Sequence, residues 1–245
     1  MNATIMSLTA RQLLGRRRTV LLVLVALVPV LIAVTYRLGN DTTTPAEFTA
    51  KVLLDGLIVT VLLPLTALVI GTSVLGAEFE DGTAVYLLAK PIARWRIVAS
   101  KLAVATGVTA AIVLVATVVS SLIALNGGNG QALVPAFSVA VVAGSLVYCT
   151  VFVLLSIVTS RAFVTGLVYV FVWEGLVTGL FSGTRVLSVH AYTVGLGGAL
   201  ADVSTKVLDP DLGGASSVAL MVVVGVAAFV YAARRLGSWE MGESG

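Results

Sequence analysis

The chain has 245 residues, 58% of them hydrophobic and only 11% charged, with a formal net charge of +3. Soluble domains run to roughly 45–50% apolar and about 25% charged residues, so composition excludes a water-soluble core. The small excess of base is accounted for by membrane topology and anionic lipid, with no need for nucleic acid.

The mean hydropathy of +1.07 is concentrated in long apolar runs. Windows of about 18 or more apolar residues read as membrane-crossing helices. Six occur, at 19–35, 52–75 (with Asp55 near its edge), 97–125, 132–158, 162–180 and 215–233. No stretch alternates as a barrel strand would. The expectation is an all-α, polytopic membrane protein forming a single domain over 1–245.

Ahead of the first run lies "SLTARQLLGRRR", in which Leu8, Leu13 and Leu14, with Met6 just before the stretch, share a segment with Arg11 and Arg16–Arg18. It reads either as a short amphipathic elbow helix in the interface or as a frayed basic tail. A cleaved leader is the poorer fit, because no small-x-small site follows the first span. Pro29 and Pro64 fall inside spans and predict kinks, each removing a helical hydrogen bond.

Orientation follows from Lys and Arg. With the N-terminus inside, eleven of the fifteen lie on the cytoplasmic side, and Arg37, Lys51, Arg185 and Lys206 lie outside. Both termini are then cytoplasmic, in a bacterial-type cell membrane. The segment 76–96, "GAEFEDGTAVYLLAKPIARWR", becomes the largest inner loop, with six charges in twenty-one residues. Asp81 can cap a helix opening at Gly82–Thr83 that ends by Lys90, before Pro91. Pro91 can open the next helix, which enters span three through Trp95 and a snorkelling Lys101. The short helix carries Val85, Tyr86, Leu87 and Leu88, which suit either an interfacial hairpin resting on lipid or a docking surface for a cytoplasmic partner.

The outer link "NGGNGQ" and the inner link "TSR" are tight turns that force neighbouring spans antiparallel. Glu174 is the one ionisable residue deep in a span, roughly 18 Å along the helix from Ala162. Such a group normally faces the bundle interior or water and has a partner. It stands either on the transported path or at an outer gate, or it pairs with Arg185 or polar groups to hold the outer helices. The outer segment 181–214 has apolar residues from Val186 to Val207 at helical spacing, interrupted by Gly195, Gly197 and Gly198. It predicts a glycine-broken helix, interfacial or re-entrant.

Catalytic chemistry is missing. There is no HExxH, no cysteine pair and no Walker A sequence, so no cofactor or metal is expected in this chain. Cys149 lies inside a span as a small apolar residue, and His190 reads as an interfacial side chain.

The loop "EFEDGTAVYLLAKPIARWRIVASK" resembles the signature of permease subunits of type-2 ABC exporters, carried by Glu78, Gly82, Thr83, Leu87, Leu88, Pro91, Arg94 and Lys101. "YVFVWEGL" and "RVLSVHAY" are also similar to bacterial members. The resemblance implies that the loop is a coupling helix seated on a separate ATPase subunit, with Glu78, Glu80, Asp81, Gly82, Thr83, Tyr86, Leu87, Leu88, Pro91 and Arg94 at the contact. ATP and Mg2+ would then belong to that partner. It further implies two permeases, identical or sibling, around a path for a small hydrophobic, lipid or peptide cargo. Thr60, Thr66 and Thr178 are candidates to line it. The alternatives are a non-transporting scaffold that recruits a partner through the same loop, or a stand-alone ion or proton carrier built on Glu174.

Overall fold

The computed structural model describes residues 17–39, 43–80, 94–180 and 182–237. Among them there is no strand, and six helices are long and apolar enough to cross a membrane. The expected elbow, and Asp81, Gly82, Thr83, Tyr86, Leu87, Leu88 and Pro91 of the inner loop, lie outside the described residues.

Span one is Arg17–Leu38, running through Pro29. Span two opens at Pro45–Glu47, capped by the Thr44 hydroxyl on the Glu47 amide, continues as a π-helix over Phe48–Leu62, and resumes α-helix over Leu63–Glu80. Span three is Arg94–Leu125 and span four Leu133–Val158. Span five runs Ala162–Val168, a π-helical Tyr169–Val177, then Thr178–Leu180. A 3-10 turn at Ser182–Leu187 leads into an outer helix, Val189–Ala201, and span six closes the bundle as Gly214–Gly237.

The two π-helical stretches have local marks. Thr60 donates to the carbonyl of Asp55, five residues back, at 2.7 Å, and the Leu63 amide bonds the Ile58 carbonyl at the same spacing. Pro64 has no amide hydrogen, so the five-residue ladder cannot pass through it, and the tighter winding takes over there. Pro64 therefore marks a change of helix type.

Span four is the hub, packed against spans two, three and six and the outer helix. Small residues let the backbones close in, as usual where lipid supplies no hydrophobic drive between helices. A Cβ on Gly71 of span two would lie 2.9 Å from Phe152 Cβ. Several hydroxyls in this apolar interior return to their own helices: Thr72 bonds Leu68 O at 2.6 Å, and Ser145 bonds Val141 O at 2.6 Å, which removes the cost of leaving those groups unpaired. Spans one, five and six show long apolar faces outward, through residues such as Leu31, Phe171 and Val223. In a bilayer those faces meet acyl chains. Cys149 is buried and meets Thr109 Oγ1 at 3.4 Å.

Lys101 does not snorkel. It is buried in the bundle and donates from Nζ to the Val74 carbonyl of span two at 2.8 Å.

Candidate functional site

The outer helix is not broken at its glycines. It runs unbroken through Gly195, Gly197 and Gly198 and ends at Asp202, whose φ of 47° is a left-handed cap. The glycines are contact points. A Cβ at Gly197 would lie 2.8 Å from the Phe137 ring, and one at Gly195 would lie 2.3 Å from Ser217 Oγ. Near the other end, a Cβ on Gly144 of span four would meet Thr193 Oγ1 at 2.7 Å. The helix thus runs antiparallel to span four, from the level of Tyr148 toward that of Phe137, roughly 16 Å at 1.5 Å per residue. With Tyr192, Thr193 and Val194 buried, it belongs to the bundle interior.

Glu174 fixes its lower end. Its Oε2 accepts from the Tyr148 hydroxyl at 3.0 Å, the Ser188 hydroxyl at 3.0 Å and the His190 amide at 3.2 Å. Its Oε1 accepts from the Tyr169 hydroxyl at 2.9 Å and the Val189 amide at 3.0 Å. Two of the five donors are free amides of the outer helix's first turn, where an anion is favoured. Ser188 completes the cap by accepting from the Ala191 amide at 3.2 Å. The π winding of span five carries Tyr169, five residues before Glu174, round to the same face.

Arg185 is not the partner of Glu174. It pairs with Asp211 across the outer loop and donates from Nε to Thr178 O at 3.2 Å. Trp173 Nε1 bonds Leu187 O at 3.3 Å and Thr184 bonds Val177 O at 3.2 Å, so the 3-10 turn descends along span five.

His190 turns toward span two. Its Nε2 lies 2.9 Å from Asp55 Oδ1 and 3.1 Å from Thr60 Oγ1. Both partners share one ring nitrogen, whereas a hydrolytic triad uses one nitrogen for each. Between span two, span five and the outer helix lies a cleft of about 320 Å³. Its lining mixes apolar side chains, among them Val61, Leu65, Val170 and Phe171, with polar ones, Thr60, Glu174, Thr178, Arg185, His190 and Asp211.

Of the pathway candidates, Thr60 and Thr178 meet at this cleft. Thr66 is fully buried in the bundle, and its hydroxyl has no hydrogen-bond partner among the described residues. Glu78 and Glu80 lie in the last turn of span two and Arg94 at the first residue of span three, flanking the undescribed loop. Sequence reasoning gave Tyr148 no role, noted Asp55 only at the edge of span two, and read His190 as an interfacial side chain without the partners it has here. The cap sequence "SVHAY", a serine opening a helical run, was the available signal for where the outer helix begins.

Six apolar spans and an embedded outer helix define a multi-pass membrane protein. The family model described as "ABC-2 family transporter protein" matches residues 14–191, and the chain belongs to that family, as a membrane permease component. No curated relative matches it.

Proposed function

We propose that the chain is the translocating half of an ATP-driven exporter. Two permease copies, or one copy and a sibling, enclose the path, and a separate ATPase subunit drives them. Both termini face the cytoplasm of a bacterial-type cell. The observation that carries this reading is the family match across 14–191, which includes the charged inner loop with its acidic start and basic end. In this reading Glu78, Glu80, Asp81, Gly82, Thr83, Tyr86, Leu87, Leu88, Pro91 and Arg94 form the seat for the ATPase, which holds ATP and Mg2+.

The cleft walled by spans two and five is a stretch of that path, with Thr60 and Thr178 on its surface. Glu174 serves the outer gate by anchoring the outer helix. A lining that mixes apolar side chains with a few polar ones suits an amphipathic cargo, such as a small hydrophobic compound, a lipid or a peptide. The test is a Glu80→Arg/Leu88→Asp double variant, co-expressed with an ABC-type ATPase subunit that co-purifies with the wild-type chain. Loss of co-purification and of permease-stimulated ATP hydrolysis is expected. Unchanged assembly and stimulation would overturn the coupling role.

A further inference from the structure

The outer helix is held differently on its several sides. Toward spans four and six the seating is backbone-close, at Gly144, Gly195 and Gly197. Toward span five, Glu174 ties down the first turn by the five hydrogen bonds described above. Toward the outer half of span two, the polar link runs through one imidazole nitrogen, on Asp55 Oδ1 and Thr60 Oγ1. The side chains of His190 and Asp55 are 30% and 36% exposed, so water reaches this link while the other sides stay packed. His190 also lines the cleft, whose long edge is this same seam.

We propose that His190 is the latch of a seam between span two and the outer helix, and that its protonation sets how readily the seam parts. The proposal deepens the reading of the cleft as part of the path. Thr60 already donates its hydroxyl proton to the Asp55 carbonyl. Both groups facing Nε2 therefore act as acceptors, and the link needs a proton on that nitrogen. A charged imidazole always supplies one and adds an ion pair with Asp55. The neutral ring keeps only a hydrogen bond, and in its other tautomer loses that too. The latch is consequently tightest at low pH and weakens as pH rises.

The charged and titratable groups around it come from every neighbouring element. They are Asp55 on span two, with Lys51 and Glu47 paired a turn beyond; Glu174 with Tyr148 and Tyr169 below; Arg185 with Asp211 across the cleft; and Tyr192 on its own helix.

The experiment is spin-label distance measurement on the full chain in phosphatidylcholine–phosphatidylglycerol nanodiscs. Labels go on Val52→Cys and Leu200→Cys, both exposed, with the buried Cys149 changed to Ser. From about pH 5.5 to about pH 8.5 the ratio of the longer to the shorter distance population is expected to rise about two- to fivefold, the range of one half-exposed ion pair. His190→Gln, which keeps a neutral donor, should show no pH response. Asp55→Asn, which keeps an acceptor without charge, should show a reduced one. A wild-type protein with no pH response, or a His190→Gln variant that retains it, overturns the latch. The measurement uses neither cargo nor ATPase. A pH response alongside failure of the co-purification test would leave the latch standing and sink the exporter reading, and the opposite pattern would sink the latch alone.

Discussion

Replacing Glu174 by Gln changes almost no volume, yet the five donors around it make the substitution costly. An amide offers one acceptor oxygen where the carboxylate offers two. If that oxygen takes the place of Oε2, the new NH2 faces the Tyr169 hydroxyl and the Val189 amide. If it takes the place of Oε1, the NH2 faces Tyr148, Ser188 and the His190 amide. Hydroxyls can rotate and accept, but a backbone amide cannot, so either orientation strands one N–H of the outer helix's first turn. A stranded buried donor costs about 1–3 kcal/mol. Losing the anion at a helix N-terminus adds about 0.3–1 kcal/mol, up to ~2 where partly buried. The sum is about 1–5 kcal/mol, and at roughly 2–4 °C per kcal/mol for a chain of this size the melting midpoint should fall by roughly 3–20 °C. Thermal unfolding in matched nanodiscs measures it, and hydrogen exchange localises it, with Val189 and His190 exchanging about tenfold faster or more. A midpoint within about 1 °C of wild type, with unchanged exchange at those two amides, would refute the role given to Glu174.

Tyr148→Phe removes one hydroxyl donor and leaves Glu174 four, so it should cost about 0.5–1.5 kcal/mol. Combined with Glu174→Gln, the two losses should fall short of their sum in the same melting assay, because they share one network. Gly71→Ala forces a methyl against Phe152 Cβ, a site fixed by the backbone, and should destabilise by about 1–3 kcal/mol. Gly107→Ala in span three meets nothing within 4 Å and should be neutral or stabilising by up to about 1 kcal/mol. Equal melting for those two would contradict the close packing of spans two and four. Arg185→Met should shift the midpoint by less than the equivalent of about 1 kcal/mol, since its pair with Asp211 is half exposed, and added salt should narrow the difference further.

The six crossings were legible because a bilayer demands long apolar runs, and the runs carry that demand residue by residue. Their ends were less so. Span two extends to Pro45 on one side and Glu80 on the other, because a helix backbone continues past the charges that end a hydropathy window. The winding of spans two and five was hidden, because a 3.6-residue period does not bring Tyr169 and Glu174 together. The glycines of the outer segment were read as breaks, since in water glycine weakens a helix; between packed helices their missing side chains make room for Phe137 and Ser217. Glu174 could be singled out from its depth alone. Its five donors could not, because they come from three separate stretches of chain. His190 and Asp55 lie 135 positions apart, and no local pattern joins them.

The bond from Lys101 to the Val74 carbonyl ties the two legs of the inner loop together just inside the membrane. The ammonium is buried, so separating the two spans at this level would break a hydrogen bond that water does not replace. A displacement of span two at Val74 is therefore expected to be passed to span three at Lys101, and the reverse.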